Sequence, residues 1–362
     1  MKRLLVLSLS VMLFVAVCLV AASCGEPADE STTTAVTETT VQTTEETTTA
    51  EETTTTEETT TTEETTTAEP LEAVSAVSAD AIKNHTAIPL WEGGVQPFEI
   101  QSTNEKKISM FGQTATIKAF IVEGSKECVI IYPGGGYAGL TANEGDAVAV
   151  EFNNRGISAF VCNYRLNKYV DKTEGAMYHR DAIVADGQRA VQFVRYHASE
   201  FGIDPDKIAV CGFSAGGHLA MTVCEHPLET NYTKDVIGAV SSSPDACILC
   251  YAVTDLHEGM SSVTSEHFFH SDEERSNEEL IAYYSYNYAP EAMPPTYIWY
   301  GDGDKSVDYK VCSVGFADKL KEVGVQVKIE NFSGTGHASV NDSRTAAWKD
   351  HAAEFVKSIF TD

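Results

Sequence analysis

The sequence predicts an α/β fold, with a mostly parallel central sheet and helices on both faces. Two patterns carry that expectation. From about residue 88 onward, short near-continuous apolar runs alternate with stretches of helical periodicity, as a sheet buried on both sides requires. Glycines follow several of the helical stretches and stop them.

In chain order, "CVIIY" at 128–132 is a strand, and a helix near 143–155 follows with Val148 and Phe152 on one face and Gly156 after it. "AFVCNY" at 159–164 is the next strand. The long helix near 180–201 then holds Ile183, Ala190, Val194 and Ala198 at helical spacing before Gly202. "KIAVC" at 207–211 leads into a helix opening at Ala215, and "ACILCYAV", "YIWY" and "VQVKI" are three further strands. Between the last two, a helix turns Tyr309, Cys312, Phe316, Leu320 and Val323 inward. A final helix presents Trp348, Ala352, Phe355 and Ile359. Sheets of this kind bind ligands beyond the carboxyl ends of their strands.

The N-terminal part is of a different kind. Residues 1–24 carry two basic residues and then an uncharged apolar stretch, which reads as an export signal. The stretch is also long enough to remain as a membrane anchor. "AASC" resembles a bacterial lipobox, in which Cys24 would be lipidated, although Ala21 stands where that pattern prefers leucine. Lipidation at Cys24, a plain signal and an anchor are all compatible with these residues. Residues 25–78 read as a disordered stalk: over 25–70 there are thirteen acids, no lysine or arginine, and no aromatic residue. Such a segment has nothing apolar to set against its ordering entropy. The globular domain is therefore expected over 79–362.

The stalk supplies thirteen of the net −28 charges and leaves about −15 for the rest. That balance argues against nucleic acid or anionic lipid as a partner, so membrane contact is expected only through the N-terminal anchor. Of nine cysteines, Cys18 and Cys24 belong to the signal. Cys128, Cys162, Cys211, Cys247 and Cys250 sit in apolar strand-like runs, where cysteine packs as a small hydrophobe. "CILC" has redox spacing, but it lies mid-strand with no helix N-terminus to lower a thiol pKa.

Gly212-Phe213-Ser214-Ala215-Gly216 fits G-x-S-x-G between a strand and a helix. That context puts a serine hydroxyl on a sharp turn above the sheet, beside the free N–H groups of a helix N-terminus. "YPGGGY" follows an earlier strand, and the N–H groups of Gly135 and Gly136, with that of Ala215, are placed to bind an anionic oxygen. Asp302, Asp304 and Asp308 follow the strand "YIWY", and His337 lies in the glycine-rich loop after the last strand. A nucleophile, an acid and then a histidine is the chain order this turn demands of a catalytic triad. His218 lies one turn into the helix after Ser214. His267 and His270 have metal-like spacing but no convincing third ligand, so their polar insertion reads as a loop or lid and no metal site is expected.

These motifs together resemble a secreted esterase of the α/β-hydrolase superfamily. The likeness is to the acetyl xylan esterase and feruloyl-esterase-like (BD-FAE-type) branch, which shares its glycine loop with hormone-sensitive-lipase-like esterases. It runs from "IPLW" at 88 to the C-terminus and rests on "YPGGGY", "NEGDAVAVEFNNRGISAFVCNYRL", "DGQRAVQFVR", "GIDPDKIAVCGFSAGGHLA", "PPTYIWYGDGD" and "GTGH". The resemblance implies Ser214 as nucleophile, His337 as base and, among the three aspartates, Asp304 as acid. It implies oxyanion donors at Gly135, Gly136 and Ala215, and no metal or cofactor. Pro133 stands where many relatives have histidine, which alters loop support, and Asp308 replaces a common proline. The implied substrate is a small ester or acylated polysaccharide, with acetyl first. A peptidase of the prolyl-oligopeptidase type and a non-catalytic surface binding protein share the fold and stay open. Residues 255–287 are expected to build the substrate wall, with aromatics that suit either sugar stacking or packing.

Overall fold

The strands take the order β1-β2-β4-β3-β5-β6-β7-β8 in one eight-stranded sheet. They are β1 (Ile88–Pro89), β2 (Thr116–Phe120), β3 (Cys128–Tyr132), β4 (Ser158–Asn163), β5 (Ile208–Phe213), β6 (Ala246–Cys250), β7 (Thr296–Tyr300) and β8 (Val327–Asn331). β1 and β2 run antiparallel to their neighbours, whereas β3 to β8 pair in parallel. This computed structural model describes residues 70–361 except 168–176, 228–231, 258–260 and 270. Cys24, the apolar leader and most of the threonine-rich segment lie outside the described residues, as does His270.

Alternation along the strands sorts the core into two faces. In β3, Val129 and Ile131 join one apolar cluster, while Cys128, Ile130 and Tyr132 join the other. The first cluster is closed by helices Asp146–Asn153 and Trp348–Phe360, the second by Arg180–Tyr196, Ala215–Glu225 and Phe316–Glu322. Trp348 is fully buried and stacks on Trp299 at 5.5 Å, with Phe213 edge-on at 5.6 Å. That contact seats the last helix under the strand that carries the Ser214 turn. Truncating such a side chain typically costs about 3–5 kcal/mol.

Two of the sequence motifs are explained by one buried ion pair. Arg165 of "NYRL" and Asp186 of "DGQRA" are both fully buried and meet at 2.8 Å through Nη2 and again through Nε. Asp186 also accepts from the Arg165 backbone N–H and from Trp91 Nε1. Four donors on one carboxylate satisfy the charge on both sides, which is what makes so buried a pair tolerable. The pair ties the end of β4 to the long helix and to the chain entering at β1.

Several element boundaries differ from the periodicity. The helix expected near 143–155 is a 3₁₀ turn, Ala142–Glu144, then Asp146–Asn153 after a break at Gly145. His197 interrupts the long helix after Tyr196, and Lys310–Gly315 is a π-helical turn leading into Phe316–Glu322. β2 has no counterpart among the expected strands, because Thr116 and Lys118 face partly outward and dilute its apolar run.

Residues 72–77 pack against the domain. Glu72 exchanges backbone hydrogen bonds with Lys234 and Val236, Ser75 donates to Glu92, and the Val77 N–H donates to Glu200. Val74 and Val77 rest half-buried on the core. The packed chain thus begins before residue 79, and the described residues all fall in one unit, Thr67–Asp362.

Candidate active site

Ser214 sits where β5 turns into the helix Ala215–Glu225, with φ 52° and ψ −119°. A non-glycine residue in that region is strained, and here the surroundings enforce it. A Cβ on Gly212 would stand 2.2 Å from the Gly216 carbonyl oxygen, and one on Gly216 would stand 2.1 Å from that of Tyr132. Both glycines are therefore required by the close approach of helix and strands. The Ser214 N–H donates to the Cys250 carbonyl and its own carbonyl accepts from Val253, which locks the turn to the end of β6.

His337 reaches Ser214 from the loop after β8. The distance between Ser214 Oγ and His337 Nε2 is 2.8 Å, and between His337 Nδ1 and Asp304 Oδ2 it is 2.7 Å. An ionised carboxylate only accepts, so Nδ1–H donates to Asp304, and Nε2 of the neutral ring accepts from the serine. Asp304 is 2% exposed in its side chain and also accepts from the N–H groups of Ser306 and Val307. Burial works to raise its carboxyl, but the hydrogen bond and charge of His337 outweigh that, and the carboxyl is held below its ordinary value. The other two acids serve elsewhere. Asp302 accepts from Asn331, Ser333 and Gly334 at the far side of the loop, and Asp308 accepts from the Lys310 N–H.

The glycine loop after β3 faces Ser214. Gly135 has φ 131° and Gly136 φ 61°, conformations that favour glycine. Among the described residues, the N–H groups of Gly135, Gly136 and Ala215 have no acceptor within the protein. Gly135 and Gly136, with Thr141, Glu144, Ser261, Ser262, Val263, Thr264, Lys305 and His337, line a cavity of about 460 Å³ over Ser214. Its walls carry mostly small and polar side chains, with no phenylalanine, tyrosine or tryptophan among the described residues that line it.

Residues 261–264 thus form one wall opposite the glycine loop. The tyrosines of "YYSYNY" do not reach it. Tyr283, Tyr284 and Tyr288 line a separate cavity of about 390 Å³ with Asp181 and Glu225. His218 is buried, with Nε2 2.8 Å from the Tyr284 carbonyl and Nδ1 2.7 Å from the Tyr137 hydroxyl. The carbonyl can only accept, so His218 carries its proton on Nε2 and accepts from Tyr137. Burial lowers it to about 4, so it stays neutral and tethers the glycine loop to the helix. His267 is turned back onto the Val263 carbonyl of its own helix.

Two groups at the site escaped the sequence reading. Glu144 is 2% exposed and accepts from the Gly134 N–H at 2.8 Å and the Tyr251 hydroxyl at 2.6 Å. Burial raises its carboxyl, and the bonds from Tyr251 and Gly134 oppose that rise. Tyr251 in turn presents its ring edgewise to His337 at 5.1 Å. The one available signal was an acid within a run of small residues soon after the glycine loop.

The sequence model of the BD-FAE family matches residues 121–320. Endo-1,4-beta-xylanase B of Butyrivibrio fibrisolvens is 31% identical over 204 residues, which cover 54% of this chain and 30% of that protein. The acetylxylan esterase of Xylanibacter ruminicola is 26% identical over 227 residues, 62% of this chain and 43% of that protein. The chain therefore spans less than half the length of either relative. Among solved structures, the acetyl ester-xyloside bifunctional hydrolase of Caldicellulosiruptor lactoaceticus superimposes with a TM-score of 0.62 at 30% identity, over 76% of this chain and 96% of that one. A thermophilic esterase of Thermogutta terrifontis with propionate bound shares the fold, with a TM-score of 0.55 at 24% identity, over 74% of this chain and 96% of that one. With the family match spanning more than half of its length and the fold shared with a solved relative, the chain belongs to the BD-FAE family of α/β-hydrolases.

Proposed function

We propose that the protein is a serine carboxylic-ester hydrolase that removes short acyl groups, acetyl first, from plant polysaccharide or oligosaccharide. The observation that carries this reading is the hydrogen-bonded chain Ser214–His337–Asp304 beneath unpaired N–H groups of the glycine loop. In the proposed mechanism His337 takes the Ser214 proton as Oγ attacks the ester carbonyl. Gly135, Gly136 and Ala215 receive the developing oxyanion, and Asp304 steadies the imidazolium. The protonated His337 then donates to the leaving alcohol, and water releases the acyl-enzyme by the same route.

The acyl preference is supported by a cavity walled largely by glycine, serine and threonine, and the carbohydrate alcohol by likeness to an acetylxylan esterase and an acetyl ester-xyloside hydrolase. Each methylene buried in a pocket is worth roughly 0.8 kcal/mol, so an apolar tunnel would reward long chains steeply and this cavity would not. A hydrolysis panel tests the reading: acetyl, butyryl and octanoyl esters, acetylated xylan, a feruloyl ester and a prolyl amide. We expect kcat/KM to fall from acetyl to octanoyl and Ser214→Ala to be inactive on every ester. Rising efficiency with chain length would make it lipase-like, and preference for the prolyl amide would make it a peptidase.

Display at the outer face of a bacterial membrane belongs to the same proposal and rests on residues 1–24 and the acidic repeat. Cys24→Ala is expected to release the protein from the membrane or to block its processing. Mass spectrometry that finds an unmodified Cys24, or cleavage elsewhere, would refute lipidation.

A further inference from the structure

Glu144 is a buried carboxylate with no basic side chain paired to it among the described residues. Burying a charge in this way costs far more than burying the matching amide, so stability alone does not account for a glutamate here. Its two acceptor oxygens face two different parts of the site. Oε2 takes the N–H of Gly134, the first residue of the glycine loop, and Oε1 takes the hydroxyl of Tyr251, just beyond β6. Tyr251 itself is held at φ 37° by its N–H bond to the Trp299 carbonyl, and its ring edge meets His337.

The Gly134 peptide is gripped from both ends. Its N–H goes to Glu144 and its carbonyl accepts from the Thr141 N–H. With Gly134 oriented in this way, the N–H groups of Gly135 and Gly136 are left without acceptors and border the cavity over Ser214. The carboxylate is packed against the serine turn as well: a Cβ on Gly134 would stand 2.8 Å from Glu144 Oε2 and 3.0 Å from Ser214 Cβ. Each of the two oxygens takes one of these donors, so a single buried carboxyl group holds both the loop and the tyrosine. Pro133 offers no side-chain donor or acceptor for this task.

We propose that Glu144 is a positioning residue for the hydrolysis, aligning the oxyanion donors Gly135 and Gly136 through Gly134 and the His337 ring through Tyr251. The proposal rests on the serine-hydrolase reading above. It acts on the transition state, because the oxyanion exists only there.

The test uses the full chain and an acetyl ester, with an alkylboronic acid as a probe that mimics the tetrahedral state on Ser214. Glu144→Ala is expected to lower kcat by about 10²–10³-fold with little change in KM, and to weaken the boronic acid in parallel. Glu144→Gln keeps an acceptor for Gly134 and should recover kcat to within about tenfold of the parent. Tyr251→Phe, which removes one of the two contacts, should show the same split at smaller size. Should Glu144→Ala fail to fold, the last two variants carry the test. The proposal is overturned if Glu144→Ala and Tyr251→Phe, or Tyr251→Phe alone where the alanine variant does not fold, keep kcat within about threefold of the parent while Ser214→Ala is inactive, or if their loss lies in KM with boronic acid affinity intact. Activity surviving in Ser214→Ala would instead refute the serine-hydrolase reading.

Discussion

Asp302, Asp304 and Asp308 lie within seven residues of one another, yet they differ by what surrounds each carboxyl. Asp304 is turned inward to the His337 Nδ1–H and two backbone donors, whereas Asp302 holds the end of β8 through Asn331, Ser333 and Gly334 and Asp308 satisfies its own loop. If Asp304 sets the imidazole tautomer, Asp304→Asn should lower turnover on the order of 10⁴-fold, because the amide would offer an N–H to Nδ1 and reverse the ring. Asp302→Asn and Asp308→Asn should stay within about tenfold of the parent. Steady-state rates of the three variants on one acetyl ester decide the matter, and comparable losses would remove the special role given to Asp304.

The helix Ala215–Glu225 carries the site at its first residue and an uncompensated acid at its last. Glu225 is 3% exposed, and among the described residues neither of its carboxyl oxygens has a hydrogen-bond partner. Burial, with the charge of Glu291 adding to it, pushes the carboxyl from 4.5 up to about 8. In the unfolded chain the group ionises near 4.5, while in the fold it keeps its proton to about 8. The folded state thus binds the extra proton between those values, and stability falls as pH rises through that window. Below about 4.5 both states are protonated and the penalty vanishes. Glu225→Gln should flatten this slope and be more stable at pH 8.5 by an amount on the order of a few kcal/mol, with no gain at pH 4. Denaturant titrations at the two pH values check this. Parallel curves for parent and variant would show that Glu225 is ionised in the fold.

For the molecule as a whole, the N-terminal approach to the sheet matters more than its composition suggests. A chain beginning at residue 79 loses the Glu72 bonds to Lys234 and Val236, the Ser75 and Val77 contacts, and the half-buried Val74 and Val77. Two half-buried valines are together worth about 2 kcal/mol. That loss should lower Tm by several degrees while leaving kcat on a soluble ester at 25 °C unchanged, since none of these residues borders the Ser214 cavity. A chain beginning at residue 70 should melt with the full-length protein. Equal melting of both truncations would show that residues 72–77 add nothing to stability.

The order of strands and helices, the Ser214 turn, and the loops holding Gly135, Asp304 and His337 were legible in sequence because each depends on neighbours in the chain. Apolar runs mark the strands, and small residues flank the places where backbone must come close. Other features were set only by tertiary packing. Glu144 looks like one more polar residue at a helix start until Gly134 and Tyr251 close on it. His218 takes its tautomer from Tyr284, 66 residues away. The tyrosines near 284 were drawn to a cavity other than the one over Ser214. Residues 72–77, continuous in sequence with the acidic repeat, dock because Lys234, Glu92 and Glu200 offer them partners. Each of these depends on which distant groups meet in the folded chain, and a pairing of that kind leaves no period or spacing along the sequence.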